Sequence, residues 1–370
     1  MVTAFELEEV VREARAKTGV PGVAAGILAD GAVALTSDGV LALGGDEAVA
    51  ADTPFRIASV SKPFTSALCF RSMEPDDRVR AFLSHTAGLR CDLFEPLPDE
   101  ALGLFSYSNA GYLEAGRLAA AANGLSFEQA MTERVLAPLG LEATGYEEPA
   151  RPARGHVQTN ETGHRLVPND RYPANRRASG GLWSTTADLL AFAAGQMEGP
   201  NPAHEPRVEA LGARYAHGWW VRELADGRTA IDHEGSVAGY QSLLLLVPAD
   251  GFALAVLTNS WRGSGLIRRV VEALGLLPPA APAETAPADV EGTYALDGRS
   301  AIVERAGGKL FVTDREVDPV TGDELLLRYP VTAAGGGVFA FARGALMSQR
   351  LDFPRPGVAR IGWTALSAQQ

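Results

Sequence analysis

The chain has 370 residues, 46% hydrophobic and 21% charged, and a formal net charge of −12. This length suits two domains and a large core without disulfide staples, while the acid excess and the lack of any Lys/Arg run argue against nucleic acid or an anionic membrane surface as partner. Its two cysteines, Cys69 and Cys91, form neither a disulfide framework nor a metal-ligand spacing and read as small buried hydrophobes.

The first stretch, "MVTAFELEEVVREARAKTGV", carries acids early and no apolar run of signal-peptide length, and even "SLLLLVP" is too short to span a bilayer. A cytoplasmic protein with no membrane partner is expected. Over residues 4–17, Leu7, Val10, Val11 and Ala14 recur at helical spacing between charges, which predicts an amphipathic helix. "GVAAGILADGAVALTSDG" predicts two strands around the turn Ala29-Asp30-Gly31. Residues 59–200, rich in alanine and leucine, read as mostly helical, with "FEQAMTERVLAPLGL" the clearest helix. "GWWVREL", "RTAIDHEG", "YQSLLLLVP" and "FALAVLTNS" read as strands, and "GLIRRVVEALGL" as a closing helix. The order predicts an α/β (α+β) fold, an antiparallel sheet flanked by helices with a helical subdomain, the first hairpin joining the later strands.

Residues 277–288, "LPPAAPAETAPA", predict a Pro/Ala-rich linker. Short strands at close spacing follow, among them "GTYAL", "AIVERAGGKLFVT", "ELLLRYP", "VFAFAR" and "ARIGWTAL", which predict a small all-β unit. The expected division is therefore 1–276, linker 277–288 and 289–370.

Only three of the 33 basic residues are lysines: Lys17, Lys62 and Lys309. Lys62 lies three residues after Ser59 in "PFRIASVSKPFTSAL". Lysine can lose its proton when desolvated, whereas arginine in effect cannot, so a chain that avoids lysine can keep one where a base is needed. Pro63 fits the first turn of a helix, placing Ser59 at the positive pole, which favours an alkoxide or oxyanion and disfavours an ammonium on Lys62. An exposed helical lysine would give the same letters. "LFSYSNAGY" sets Tyr107 two residues before Asn109, ahead of a helix expected near Gly111. A phenol beside an ammonium can relay a proton and an amide can hold a carbonyl, though this fragment alone favours an ordinary loop tyrosine with an asparagine cap. In "IDHEGSVAGYQS", strand geometry puts His233 and Gly235 on one face; a glycine there would let a ligand lie against the strand, and the Ser236 amide could serve as an oxyanion donor beside that of Ser59.

Together, Ser59-x-x-Lys62, Tyr107-x-Asn109 and His233-x-Gly235 resemble the serine β-lactamase-related family: class C β-lactamases, penicillin-binding-protein-like carboxypeptidases, D-amino-acid-specific peptidases and carboxylesterases. "TPFRIASVSKPFT", "LSHTAGL" at 83–89, "SGGLWSTTADLLAF" at 179–192 and "VLAPLGL" are similar too, so the resemblance covers about residues 10–275. The segment after the linker resembles, more weakly, the small lipocalin-like β-barrel of some members. The resemblance implies Ser59 as acylated nucleophile, Lys62 as its base, Tyr107 assisting proton transfer, and Asn109, His233, Gly235 and Ser236 around the substrate and oxyanion. It implies no metal and no cofactor. His233 stands where β-lactamases have lysine, a weaker, pH-dependent charge that is more like the esterase and D-peptidase branches. The stretch between Lys62 and "LSHTAGL" is shorter than in relatives, implying an open cleft.

His85 in "SHTAG" reads as a structural turn; Arg176 and Arg177 could meet a substrate carboxylate, and a solvated loop pair is the competing reading. The expected function is a metal-free serine hydrolase acting through an acyl-enzyme on small esters or D-amino-acid amides and peptides. The alternatives are a β-lactamase or DD-carboxypeptidase, an acyl-transferring peptide cyclase, and an inactive binding protein of the same fold. The partner expected is a small molecule or short peptide; oligomeric state is left open.

Overall fold

Asp30 and Gly31 both take positive φ, 51° and 74°. A two-residue turn of that hand matches strand twist and folds β1 (Gly22–Ala29) back against β2 (Ala32–Gly39). The computed structural model describes residues 4–97, 99, 102–158, 164–167, 172–279, 289–296, 299–317, 324–335, 338–341, 350–356, 358–361 and 364–368. Helix α1 (Ala4–Thr18) precedes this hairpin and buries Leu7, Val11 and Ala14 as its periodicity predicts.

The helical part follows β3 (Phe55–Arg56): α2 (Ser61–Ser72), α3 (Asp77–Leu83), α4 (Asn109–Asn123) and α5 (Phe127–Met131). After the small hairpin of β4 (His156–Gln158) and β5 (His164–Leu166) come α6 (Arg177–Gly180), β6 (Trp183–Ser184) and α7 (Thr186–Gln196). The stretch read as the clearest helix is broken: α5 gives way to a π turn, Thr132–Leu136, and a 3-10 turn, Ala137–Leu139, with Pro138 forcing the end. The main sheet then resumes through β7 (Val208–Ala210), β8 (Ala213–Tyr215), β9 (Trp220–Glu223), β10 (Thr229–Val237), β11 (Tyr240–Val247) and β12 (Phe252–Thr258), followed by α8 (Gly263–Ala273). The sheet order is β2-β1-β12-β11-β10-β9-β8-β7, antiparallel throughout, so the first hairpin joins the later strands as expected. The short strands β7 and β8 escape a sequence reading, since three residues carry no period.

Both faces of this sheet are buried. Along β11, Leu244 and Leu246 enter the core under the helical part, while Leu243, Leu245 and Val247 enter the core under α1 and α8. That is why "SLLLLV" shows no polar alternation. Each leucine so buried contributes about 2 kcal/mol.

Strands β13 (Gly292–Leu296), β14 (Arg299–Ala306), β15 (Lys309–Val317), β16 (Glu324–Gly335), β17 (Val338–Phe341), β18 (Arg350–Arg355), β19 (Val358–Ile361) and β20 (Thr364–Ala368) close into a barrel. The expected linker lies, for residues 280–288, outside the described residues. The barrel core takes in Leu97, which belongs to the loop between α3 and α4. Among the described residues no helix is long and apolar enough to cross a membrane.

Candidate active site

Ser59 sits in a 3-10 turn, Ala58–Val60, immediately before α2. Pro63 lies in the first turn of α2, where its missing N–H costs no helical bond. The turn is tightly held. Ala58 takes a positive φ of 46°, a conformation costing a non-glycine residue about 1 kcal/mol. The Ile57 N–H donates to Leu182 O at 3.1 Å, and Ser242 Oγ donates to Ile57 O at 2.7 Å.

Lys62 is fully buried, and its Nζ lies 3.2 Å from Ser59 Oγ, 2.8 Å from Asn109 Oδ1 and 2.7 Å from Ser179 O. Burial, which penalises the ammonium, brings its pKa down to about 7. Arg176 pushes the same way and Asp92 against it. The Ser179 carbonyl comes from α6, which is fastened along α2 by Thr65 Oγ1 donating to Ala178 O at 2.7 Å and Leu182 N–H donating to Ser61 Oγ at 3.2 Å.

Tyr107 and Asn109 flank Ser108, the N-cap of α4, whose Oγ accepts from Gly111 N–H at 3.1 Å. The helix thus begins at Asn109, two residues earlier than the sequence suggests, because the serine cap sets the start. Asn109 donates through Nδ2 to Asp92 Oδ1 at 2.8 Å, which aims its carbonyl at Lys62. The Tyr107 ring centroid is 4.6 Å from Lys62 Nζ. Burial holds the phenol's pKa well above its usual value, Tyr215 adds to this, and hydrogen bonding with Ser59 opposes it. The phenol is neutral near pH 7.

The structure brings Ser59, Lys62, Tyr107 and Asn109 together and changes the reading of the β10 residues. Burial, with Lys62 nearby, brings the His233 pKa down to about 3. Its Nδ1 donates to Glu234 O at 2.6 Å, and its Nε2 lies 3.2 Å from the Tyr215 hydroxyl. The pH-dependent positive charge expected of His233 is therefore absent at neutral pH. Gly235 also has a different reason: a Cβ there would stand 2.2 Å from both Ile57 O and Ser242 Oγ. The missing side chain admits the chain's own turn before Ser59 rather than a ligand. Ser236 is exposed, with its Oγ accepting from Gln241 Nε2 at 2.8 Å. Pairing of β9 with β10 stops at Asp232↔Trp220, and the remainder of β10, His233 to Val237, runs beside the Ser59 turn.

Arg176 pairs with Asp92 beside Asn109, whereas Arg177 turns to Glu128 and Glu147. The sequence gives no sign of three further features. Cys91 accepts the Asn109 N–H at 2.6 Å through its carbonyl. Arg222 on β9 and Asp232 on β10 form a buried ion pair. His85 is buried against the Tyr107 ring. Among the described residues no cluster of three His, Cys, Asp or Glu side chains could hold a metal.

The chain is 27% identical over 364 residues to penicillin-binding protein 4 of Amycolatopsis lactamdurans, a match covering 77% of this chain and 95% of that one. In structure it is similar to SurE, with a TM-score of 0.73, 24% identity and 99% of each chain covered; SurE is also known with D-Leu. A class C β-lactamase from Rhodobacter sphaeroides matches at a TM-score of 0.62 and 18% identity, over 72% of this chain and 97% of that one. The Beta-lactamase family model matches residues 7–76 and 74–276. The match spans the sheet, the helical part and every residue of the site, and on it the chain belongs to the Beta-lactamase family.

Proposed function

We propose that the chain is a serine hydrolase that forms an acyl-enzyme at Ser59. The observation that carries this is the fully buried Lys62 amine, 3.2 Å from Ser59 Oγ and with a pKa brought down to about 7. As an ammonium, Nζ donates to all three oxygens around it. As a free amine it donates to Asn109 Oδ1 and Ser179 O and keeps its lone pair for the Ser59 proton. Ser59 Oγ then bonds to the substrate carbonyl carbon while its proton passes to Lys62. The carbonyl oxygen, now anionic, meets the positive end of the turn and α2 and the Ser236 end of β10. Breakdown expels the leaving group, which takes the proton from Lys62 by way of the Tyr107 hydroxyl. Water repeats the sequence in reverse to free the acid, and an amine in its place would give acyl transfer.

For substrate we propose small esters and D-amino-acid amides or short peptides, ahead of β-lactams. A neutral His233 offers a β-lactam carboxylate no cation, and an uncharged ester needs none. The name of the Amycolatopsis relative makes penicillin a fair competitor, and the D-Leu seen with SurE speaks for D-configured substrates. The test is one preparation offered a fluorophosphonate probe, p-nitrophenyl butyrate, D- and L-aminoacyl anilides and nitrocefin. One label per chain, lost in Ser59→Ala, and butyrate turnover above nitrocefin turnover are expected. A label retained by Ser59→Ala moves the nucleophile elsewhere, and nitrocefin with the higher kcat/KM reverses the ranking.

A further inference from the structure

His85 stands at the end of α3 with φ +59°, a left-handed conformation in which His and Asn are enriched among non-glycine residues. It is 2% exposed. Two of its atoms grip the residues on either side of Tyr107. Its carbonyl accepts the Ser106 N–H at 3.0 Å, and its ring Nδ1 accepts the Ser108 N–H at 3.0 Å. Because Nδ1 is an acceptor, the ring is neutral with its proton on Nε2. The imidazole lies against the Tyr107 ring at 4.3 Å between centroids and 35° between planes. Phe105, Tyr112 and Tyr215 enclose it at 5.5, 5.1 and 5.0 Å.

We propose that His85 is the positioning residue for Tyr107: it clamps the backbone before and after the tyrosine and stacks on its ring, so that the phenol is held over Lys62 and toward Ser59. This rests on the acyl-enzyme reading above. The segment 106–108 lies ahead of α4, where the His85 bonds to Ser106 and Ser108 hold the backbone on both sides of Tyr107 and Ser108 Oγ donates to Arg90 O at 2.8 Å. A left-handed backbone at His85 turns its carbonyl and its ring toward the same strand of chain. Burial keeps the imidazole uncharged, with a pKa well below its usual value, so its ring nitrogen stays an acceptor across the working pH range.

The experiment uses the full chain with His85→Asn and His85→Leu, each alone and combined with Tyr107→Phe. Asparagine places Oδ1 close to where Nδ1 stands and tolerates positive φ, while leucine fills the space without an acceptor. Ester turnover is measured per fluorophosphonate-labelled serine, which removes any misfolded fraction from the comparison. His85→Leu should lower kcat at least tenfold with KM changed less than twofold, and His85→Asn should recover to within about threefold of the parent. In the Tyr107→Phe background, His85→Leu should cost less than a further twofold, because its effect passes through the phenol. Equal kcat per labelled serine in His85→Leu, a His85→Asn variant no better than His85→Leu, or losses that multiply with Tyr107→Phe would each overturn the inference. A parent chain that takes no label at Ser59 would instead overturn the acyl-enzyme reading on which it rests.

Discussion

A lysine with a pKa of about 7 is half free base at neutrality, where an ordinary one near 10.5 is almost wholly ammonium. Only the free base can take the Ser59 proton, so kcat/KM for an ester should rise about tenfold per pH unit below 7 and level off above it. A profile flat from pH 5 to 8 would show that Lys62 is not the titrating base. Lys62→Arg keeps the charge and should lose on the order of a hundredfold or more in kcat, since arginine offers no free base near pH 7. Near-parent turnover would reduce the lysine to an electrostatic part. At this scale the sequence was informative about identity and silent about state. The rarity of lysine and the three-residue spacing single out Ser59 and Lys62, because a helical turn fixes that contact locally. The neutrality of His233 depends on burial by Tyr215, Lys62 and the strands around it, which no local pattern encodes. His85 looked like a mere turn for the same reason, its partners lying 21 and 23 residues away at Ser106 and Ser108.

Strand β10 and the 3-10 turn carrying Ser59 meet through backbone, with Gly235 as the point of contact. Gly235→Ala would bring a methyl to within 2.2 Å of Ile57 O, part of a backbone already fixed by Leu182 and Ser242. The turn has to move, and a displacement of an ångström at a nucleophile can cost on the order of a hundredfold in rate. Fluorophosphonate labelling of Gly235→Ala should fall at least tenfold while its circular dichroism stays that of the parent. Parent-like labelling would mean that the turn yields without harm. The strands themselves were legible, because long apolar runs separated by Asp-Gly or Gly turns admit few other readings. What escaped were the two- and three-residue strands β3 to β8 and the break after Met131, where Pro138 acts on a pattern that otherwise stays helical. The glycine was legible as a site of close approach; what approaches it was not, since Ile57 lies far away in the chain.

Among the described residues, the barrel meets the loop between α3 and α4, which borders the site. Leu97, 4% exposed, is embedded in the barrel core, and Arg360 Nη1 lies 3.4 Å from Glu209 O. Five residues back, Asp92 holds the Nδ2 of Asn109, and the bridge of Leu89 to Pro96 ties the two ends of the loop together. A chain shortened to end at Leu277 should therefore label Ser59 several-fold more slowly than the full chain. Equal rates would show that the loop holds its shape without the barrel. The buried histidines make a second prediction for the whole molecule. Burial brings His204 and His217 to about 4 and His233 to about 3, against about 6.5 in the unfolded chain. The unfolded state binds more protons as pH falls from 6.5 toward these values, so stability present above 6.5 is lost on acidification, at about 1.4 kcal/mol per unit of displacement as an upper figure. The urea midpoint should be lower at pH 4.5 than at pH 7, and an unchanged midpoint would refute the assignment. The position of the Lys62 partners has a bearing on biosynthesis. Its three oxygen neighbours belong to Ser59, Asn109 and Ser179, so the last leaves the ribosome well over a hundred residues after the lysine. Until α6 and the strands beyond it close over that amine, it is an ordinary hydrated ammonium, and a nascent chain holds an inert serine. On the acyl-enzyme reading proposed above, the serine and its lysine become a reactive pair only once α6 has packed along α2, late in the making of the chain.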